Sequence, residues 1–130
     1  MIIHPAAASD FDGEADLHRP LSHKPTGPSR ANSIVRRDRK MNLANGQRVR
    51  VIDFAAFLRG LPRPAKLIKV DVEGAEWSIL SSVRASALDR FEAMFVETHE
   101  RFDRKRVREA LAWQRFAASI EHPYINLFWG

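Results

Sequence analysis

Leu67-Ile68-Lys69-Val70-Asp71-Val72-Glu73-Gly74-Ala75-Glu76 joins an apolar, strand-like run to a helix-like run, Trp77 to Val83. Side chains alternate faces along a strand, so Ile68, Val70 and Val72 share one side and Lys69, Asp71 and Glu73 the other. Three ionisable groups on one face resist transfer to a dry core, because each would lose several kcal/mol of solvation. Either that face is wet or the charges pair, and a Lys69–Asp71 ion pair is the structural alternative to a site. Gly74 suits a sharp strand-to-helix turn or close approach of a ligand to the backbone. Glu76, in the first helical turn, complements the helix dipole. Crevices at strand ends are where open α/β sheets bind ligands.

Working outward, Lys66 to Val72 is a strand and about Ala75 to Ala87 a helix, with Trp77, Leu80, Val83 and Ala87 on one stripe and Ile79 beside it. Glu92 to Glu97 is a further buried strand. Asp103 caps a long helix to about Ser119, whose inner face is Val107, Ala110, Leu111 and Ala118, widened by Trp113, Phe116 and Ile120. Tyr124 to Trp129 is a last strand. Upstream, Arg48 to Ile52 alternates as a half-buried strand does. Asp53 caps a short helix, Phe54 to Arg59, with Ile52 and Phe57 at the staple positions and Gly60 and Pro62 ending it. Asn45-Gly46 is a hairpin-type turn signal. Ile2 to Ala8 is a short buried strand broken at Pro5, Glu14 to His18 a weaker one, and Pro20 to Asn32 a loop. Strands alternating with helices predict an α/β fold with a largely parallel sheet.

The chain has 130 residues, 45% of them hydrophobic and 28% charged, which suits a single domain, 1–130. No cysteine is present, so disulfides and thiolate metal sites are excluded. No apolar run approaches the ~18 residues of a membrane span. The start, Met1-Ile2-Ile3-His4-Pro5, lacks the basic region and long apolar stretch of a signal peptide, so the expected address is cytoplasmic. The net charge of +5 is uneven: residues 1–18 hold four acids and no Lys or Arg, whereas residues 19–69 carry a net +11. That basic middle could draw an anionic substrate or nucleic acid. No aromatic residue lies between Arg19 and Val51 to stack bases, so a solvated Arg-rich loop is favoured.

Glu97 ends the strand after the opening stretch, with His99 just beyond. If those two strands are parallel neighbours, Asp71 and Glu97 lie at the same sheet end. Such a pair could bind a divalent metal through oxygen or could orient or deprotonate a hydroxyl. There is no Gly-x-Ser-x-Gly elbow and no Walker-type phosphate loop. The six glycines never come closer than 14 residues apart, so there is no Gly-x-Gly.

The run Leu67 to Glu76, with Leu80 after it, resembles the signature of FkbM-type methyltransferases, which are S-adenosylmethionine-dependent, mostly O-methylating enzymes on a Rossmann-like sheet. Pro5 to Asp10 with Gly13 is similar to the family's third-strand segment, Val49 to Asp53 to the strand and cap before the signature, Phe95 to His99 to the strand after it, and Ile125 to Trp129 to a terminal strand. The resemblance implies a partial Rossmann-like methyltransferase sheet, largely parallel with flanking helices, with the first two βα units and their Gly-rich turn absent from a truncated domain. It places Asp71, Glu73, Glu97 and His99 as catalytic residues, and Ser9, Asp10, Lys69, Asp71 and Gly74 along the cofactor. The acceptor it implies is a hydroxyl of a small molecule or sugar.

Loss of the first strand would leave an unpaired edge on the signature strand, and self-association through that edge is expected. The leading functional reading is a methyltransferase. An inactive family remnant serving as an interaction module comes next, and a basic nucleic-acid binder ranks last.

Overall fold

The computed structural model describes residues 2–20, 34, 41–98 and 104–129. Three strands come first: β1 (Ala7–Ser9), β2 (Gly13–Pro20) and β3 (Met41–Asp53). A helix α1 (Phe54–Gly60) leads to β4 (Ala65–Val70), α2 (Glu76–Ser86), a 3₁₀ turn (Leu88–Arg90), β5 (Phe91–Thr98), α3 (Arg104–Ser119) and β6 (Tyr124–Trp129). The strands form two sheets. One, in the order β1-β3-β2, pairs β1 parallel and β2 antiparallel to β3; the other, β4-β5-β6, is all parallel. The α/β reading therefore stands, with parallel order confined to the second sheet and to the β1–β3 pair.

Side-chain rows explain the parallel sheet. The register sets Ile68 beside Met94 and Met94 beside Ile125, and Val70 beside Val96 and Val96 beside Leu127. That face packs into one core with Ala55 and Leu58 of α1, Ile79, Leu80 and Val83 of α2, and Ala110 and Trp113 of α3. The opposite row holds Leu67, Ala93 and Tyr124, then Lys69, Phe95 and Asn126. Here Leu67 is 65% and Tyr124 53% exposed.

Local capping follows the sequence closely at α1. The Ala56 N–H donates to Asp53 Oδ1 at 3.0 Å, and the Leu61 N–H closes the C-terminus on the Leu58 carbonyl. Arg90 donates to the Leu58 and Leu61 carbonyls, tying that helix end to the start of β5. Arg84 of α2 lies 4.0 Å from the Phe116 ring centroid and 5.8 Å from that of Trp113, fastening α2 to α3 by cation–π contact.

Several expectations are corrected. Ile2 and Ile3 are exposed, and only Ala7–Ser9 of that segment is strand, because three residues alone find a partner in β3. Asn45-Gly46 makes no turn; it lies inside β3. A Cβ at Gly46 would stand 3.3 Å from that of Asp16, so the glycine serves a close cross-strand approach. On α3, Leu111 and Ala118 face outward, and the buried stripe runs through Ala110 and Trp113 toward Phe116, Ala117 and Ile120. The loop at 21–32 and the Asp103 cap fall outside the described residues, as does His99. No described helix is long and apolar enough to cross a membrane.

Candidate functional site

The carboxyl ends of β4 and β5 carry the charges of the opening stretch. Parallel pairing of Val70 with Val96 sets Asp71 and Glu97 side by side, one residue further along each chain. Lys69 stands between them, with Nζ 3.2 Å from Asp71 Oδ2 and 3.6 Å from Glu97 Oε2. Both alternatives raised by the alternating pattern are thus realised: the face is wet, and its charges pair. The hydrogen bond it donates to Asp71, the Asp71 charge, and then Glu97 hold the Lys69 ammonium above the ordinary lysine range.

Beyond Val70 the backbone leaves the strand. Glu73 has φ of 50° and Gly74 φ of 118°. A non-glycine residue in the left-handed region costs about 1–2 kcal/mol, and Gly74 takes up a conformation that a side chain would resist. The turn is held from within. Glu76 is completely buried, and its Oε1 accepts the Gly74 N–H at 2.9 Å. Sequence reasoning gave Glu76 only a dipole role. The signal that pointed further was an acid two residues after a turn glycine, where its carboxylate can reach back to an unpaired amide. Thr98, also buried, donates to the Phe128 carbonyl at 3.1 Å and joins β5 to β6 beside the site.

The first sheet approaches the same end. Ser9 is buried at the end of β1 and donates to Asp10 Oδ1 at 3.0 Å. Asp12 Oδ1 accepts the Asp53 N–H at 3.1 Å, linking this loop to the α1 cap. Ala8, Phe54 and Ile79 border a crevice of about 130 Å³ with residues Lys69 to Val72. On the other flank of the β1 end, Asp10 lines a depression of about 340 Å³ with Trp77, Ser78, Ser81, Glu109 and Trp113. A larger hollow, about 730 Å³, lies between the entrances of β4 and β5, around Arg63, Lys66, Asp89, Glu92 and His122. It sits at the sheet end opposite the signature, and open α/β sheets bind ligands at strand carboxyl ends, so the signature end is the candidate.

Of the residues expected from the sequence, Lys69, Asp71 and Glu97 are in direct contact, and Glu73 and Gly74 form the adjoining turn. Asp10 lines the depression beside Trp77 and Trp113, while Ser9 is buried at the β1 end and lines neither hollow. Among the described residues no group of three or more His, Asp or Glu side chains is placed to hold a metal ion. The acidic start of the chain also meets part of its basic middle: Arg48 contacts Glu14 at 3.1 Å and Asp16 at 3.6 Å across the β2–β3 pair.

The family model for the methyltransferase FkbM domain matches residues 2–120. No curated protein and no solved structure matches the chain.

Proposed function

Because this chain belongs to the methyltransferase FkbM domain family, we propose that its signature end serves S-adenosylmethionine-dependent methyl transfer to a hydroxyl of a small molecule or sugar. The observation that carries the reading is the family match over residues 2–120, taken with the juxtaposition of Asp71 and Glu97 at adjacent parallel strand ends beside the Glu73–Gly74 turn. The donor set suits this cofactor: carboxylates complement a sulfonium cation and accept from ribose hydroxyls. The crevice beside Asp71, about 130 Å³, is smaller than the ~300 Å³ usual for a whole ligand, and the separate depression at Asp10, about 340 Å³, lies on the other flank of the β1 end. Ser9, Asp10, Lys69, Asp71 and Gly74 would line the bound molecule.

When bound, S-adenosylmethionine supplies an electrophilic methyl group on sulfonium sulfur. The protein's own part is placement and proton transfer. Asp71 would orient the acceptor hydroxyl and take its proton as the oxygen–methyl bond forms and the methyl–sulfur bond breaks, the neutral thioether leaving as the demethylated product. Lys69 would hold the Asp71 carboxylate in place, while Glu73 and Glu97 would shape the wall around the acceptor. Calorimetric titration of the chain with S-adenosylmethionine and its demethylated product tests the proposal. Saturable heat is expected, and Asp71→Asn is expected to weaken binding about tenfold or more, the scale of one lost charged contact. A folded chain that takes up neither molecule would sink it.

A further inference from the structure

We propose that the hollow at the amino ends of β4 and β5 binds a small zwitterion of the amino-acid or short-peptide class, its carboxylate toward Arg63 and Lys66 and its ammonium toward Asp89 and Glu92. The inference does not rest on methyl transfer, since the hollow lies at the sheet end opposite the signature.

The chain's own connections make this hollow. Leu61 to Pro64 between α1 and β4, Asp89 of the 3₁₀ turn, and His122 between α3 and β6 all line one space of about 730 Å³. Small-molecule sites have volumes of ~300–1,000 Å³. Lys66 and Glu92 also line it and stand opposite each other, bracketed by the Ala65–Phe91 and Leu67–Ala93 pairs. Both positions share the side of Ile68 and Met94, because side chains alternate along a strand. The hollow therefore opens between β4 and β5 on the helix-covered face, not at the outer edge of β4.

One wall is firmly held. Arg90 donates to the Leu58 and Leu61 carbonyls and so pins the start of the α1–β4 connection. Pro62 and Pro64 fix their own φ angles within it. A wall shaped in advance loses little entropy when a ligand arrives.

Charge decides what fits. At the signature end Lys69 closes on Asp71 and Glu97, so those charges are met within the protein. Here two cations and two anions line one space, yet among the described residues none of the four forms an ion pair with another. Even Lys66 and Glu92, opposed in register, do not meet. Arg63 and Lys66 come from the segment entering β4, and Asp89 and Glu92 from the segment entering β5, so the two sides carry opposite charge. A simple anion would meet the carboxylates as well, and a simple cation the guanidinium and ammonium groups. A molecule with a carboxylate at one end and an ammonium at the other complements both sides at once.

Heteronuclear NMR titration of the full chain with triglycine tests the assignment, beside glycine, N-acetyl-triglycine and triglycine amide. Saturable shifts are expected at the amides of Leu61, Arg63, Lys66, Asp89 and Glu92, and not around Asp71. Blocking either end of the peptide should weaken binding about tenfold, the scale of one lost charged contact. Lys66→Gln and Glu92→Gln should each weaken triglycine by a similar factor. Triglycine amide has no carboxylate to lose and should be indifferent to Lys66→Gln. N-acetyl-triglycine has no ammonium and should be indifferent to Glu92→Gln. A merely structural role for either residue would not give that crossed pattern. Both side chains are exposed, and unchanged shifts elsewhere verify the fold. Tighter binding of glycine than of triglycine would assign the site to free amino acids, and the reverse order to peptides. Absence of saturable shifts overturns the proposal. So does equal affinity for blocked and free peptides, which marks a simple anion or cation site, or binding that ignores both substitutions.

Discussion

The two faces of the β4–β5–β6 sheet are built from alternate residues of the same three strands, yet they meet opposite surroundings. On one, Ile68, Val70, Met94, Val96 and Ile125 are buried under three helices. On the other, Leu67, Phe95 and Tyr124 remain exposed, and Lys69 and Glu97 form an ion pair in water. The covered face supplies the burial that holds the domain together, at roughly 25 cal/mol per Å² of apolar surface. The open face supplies the charges of the candidate site. A strand with charges on one side tolerates them because its other side does the packing.

The contrast can be broken or sharpened by substitution, read from urea unfolding. Leu80→Ala, at a fully buried position of α2, is expected to cost about 2–5 kcal/mol. A small loss there would mean that the covered face is not the true core. Glu76→Ala removes the acceptor of the Gly74 amide and should cost about 1–3 kcal/mol. Asp53→Ala deletes the α1 cap, with an expected loss of about 0.5–2 kcal/mol. Leu67→Ser, measured at low protein concentration, should stay within about 0.5 kcal/mol, since its side chain already meets water.

The smallest effect belongs to Lys69. Its folded-state pKa is raised, so the contribution of its ion pairs is fully present below the ordinary lysine value of 10.5 and is lost as pH rises through the folded value. Exposure and salt screen the pair. The difference in melting temperature between the chain and Lys69→Met should therefore be slight near neutrality and vanish at strongly alkaline pH. A difference that grew with pH would contradict the sign.

Much of the second sheet was legible because local signals and burial agree there. The strands before α2 and α3 are apolar runs of strand length, and Trp77, Leu80, Val83 and Ala87 are buried as their spacing predicts. The first sheet was harder. β1 exists through pairing with β3, more than forty residues away, and no local pattern encodes that partner. Asn45-Gly46 carries a turn's composition, but its surroundings on β2 select glycine for room. On α3 the error was one of angle: Leu111 is more apolar than Ala110, yet the small residue fits against the sheet and the large one points to solvent. At the candidate site, the Asp71–Glu97 proximity followed from parallel order. The inward reach of Glu76 did not, because it depends on how the Glu73–Gly74 turn is bent.

That inward reach makes the Gly74 amide a gauge of local opening. Its hydrogen bond ends on a carboxylate in the first turn of α2, with no solvent access to the side chain. The proton can exchange with water only when the turn parts from the helix. Its exchange rate therefore measures how often the signature loop comes undone while the rest of the domain stays folded.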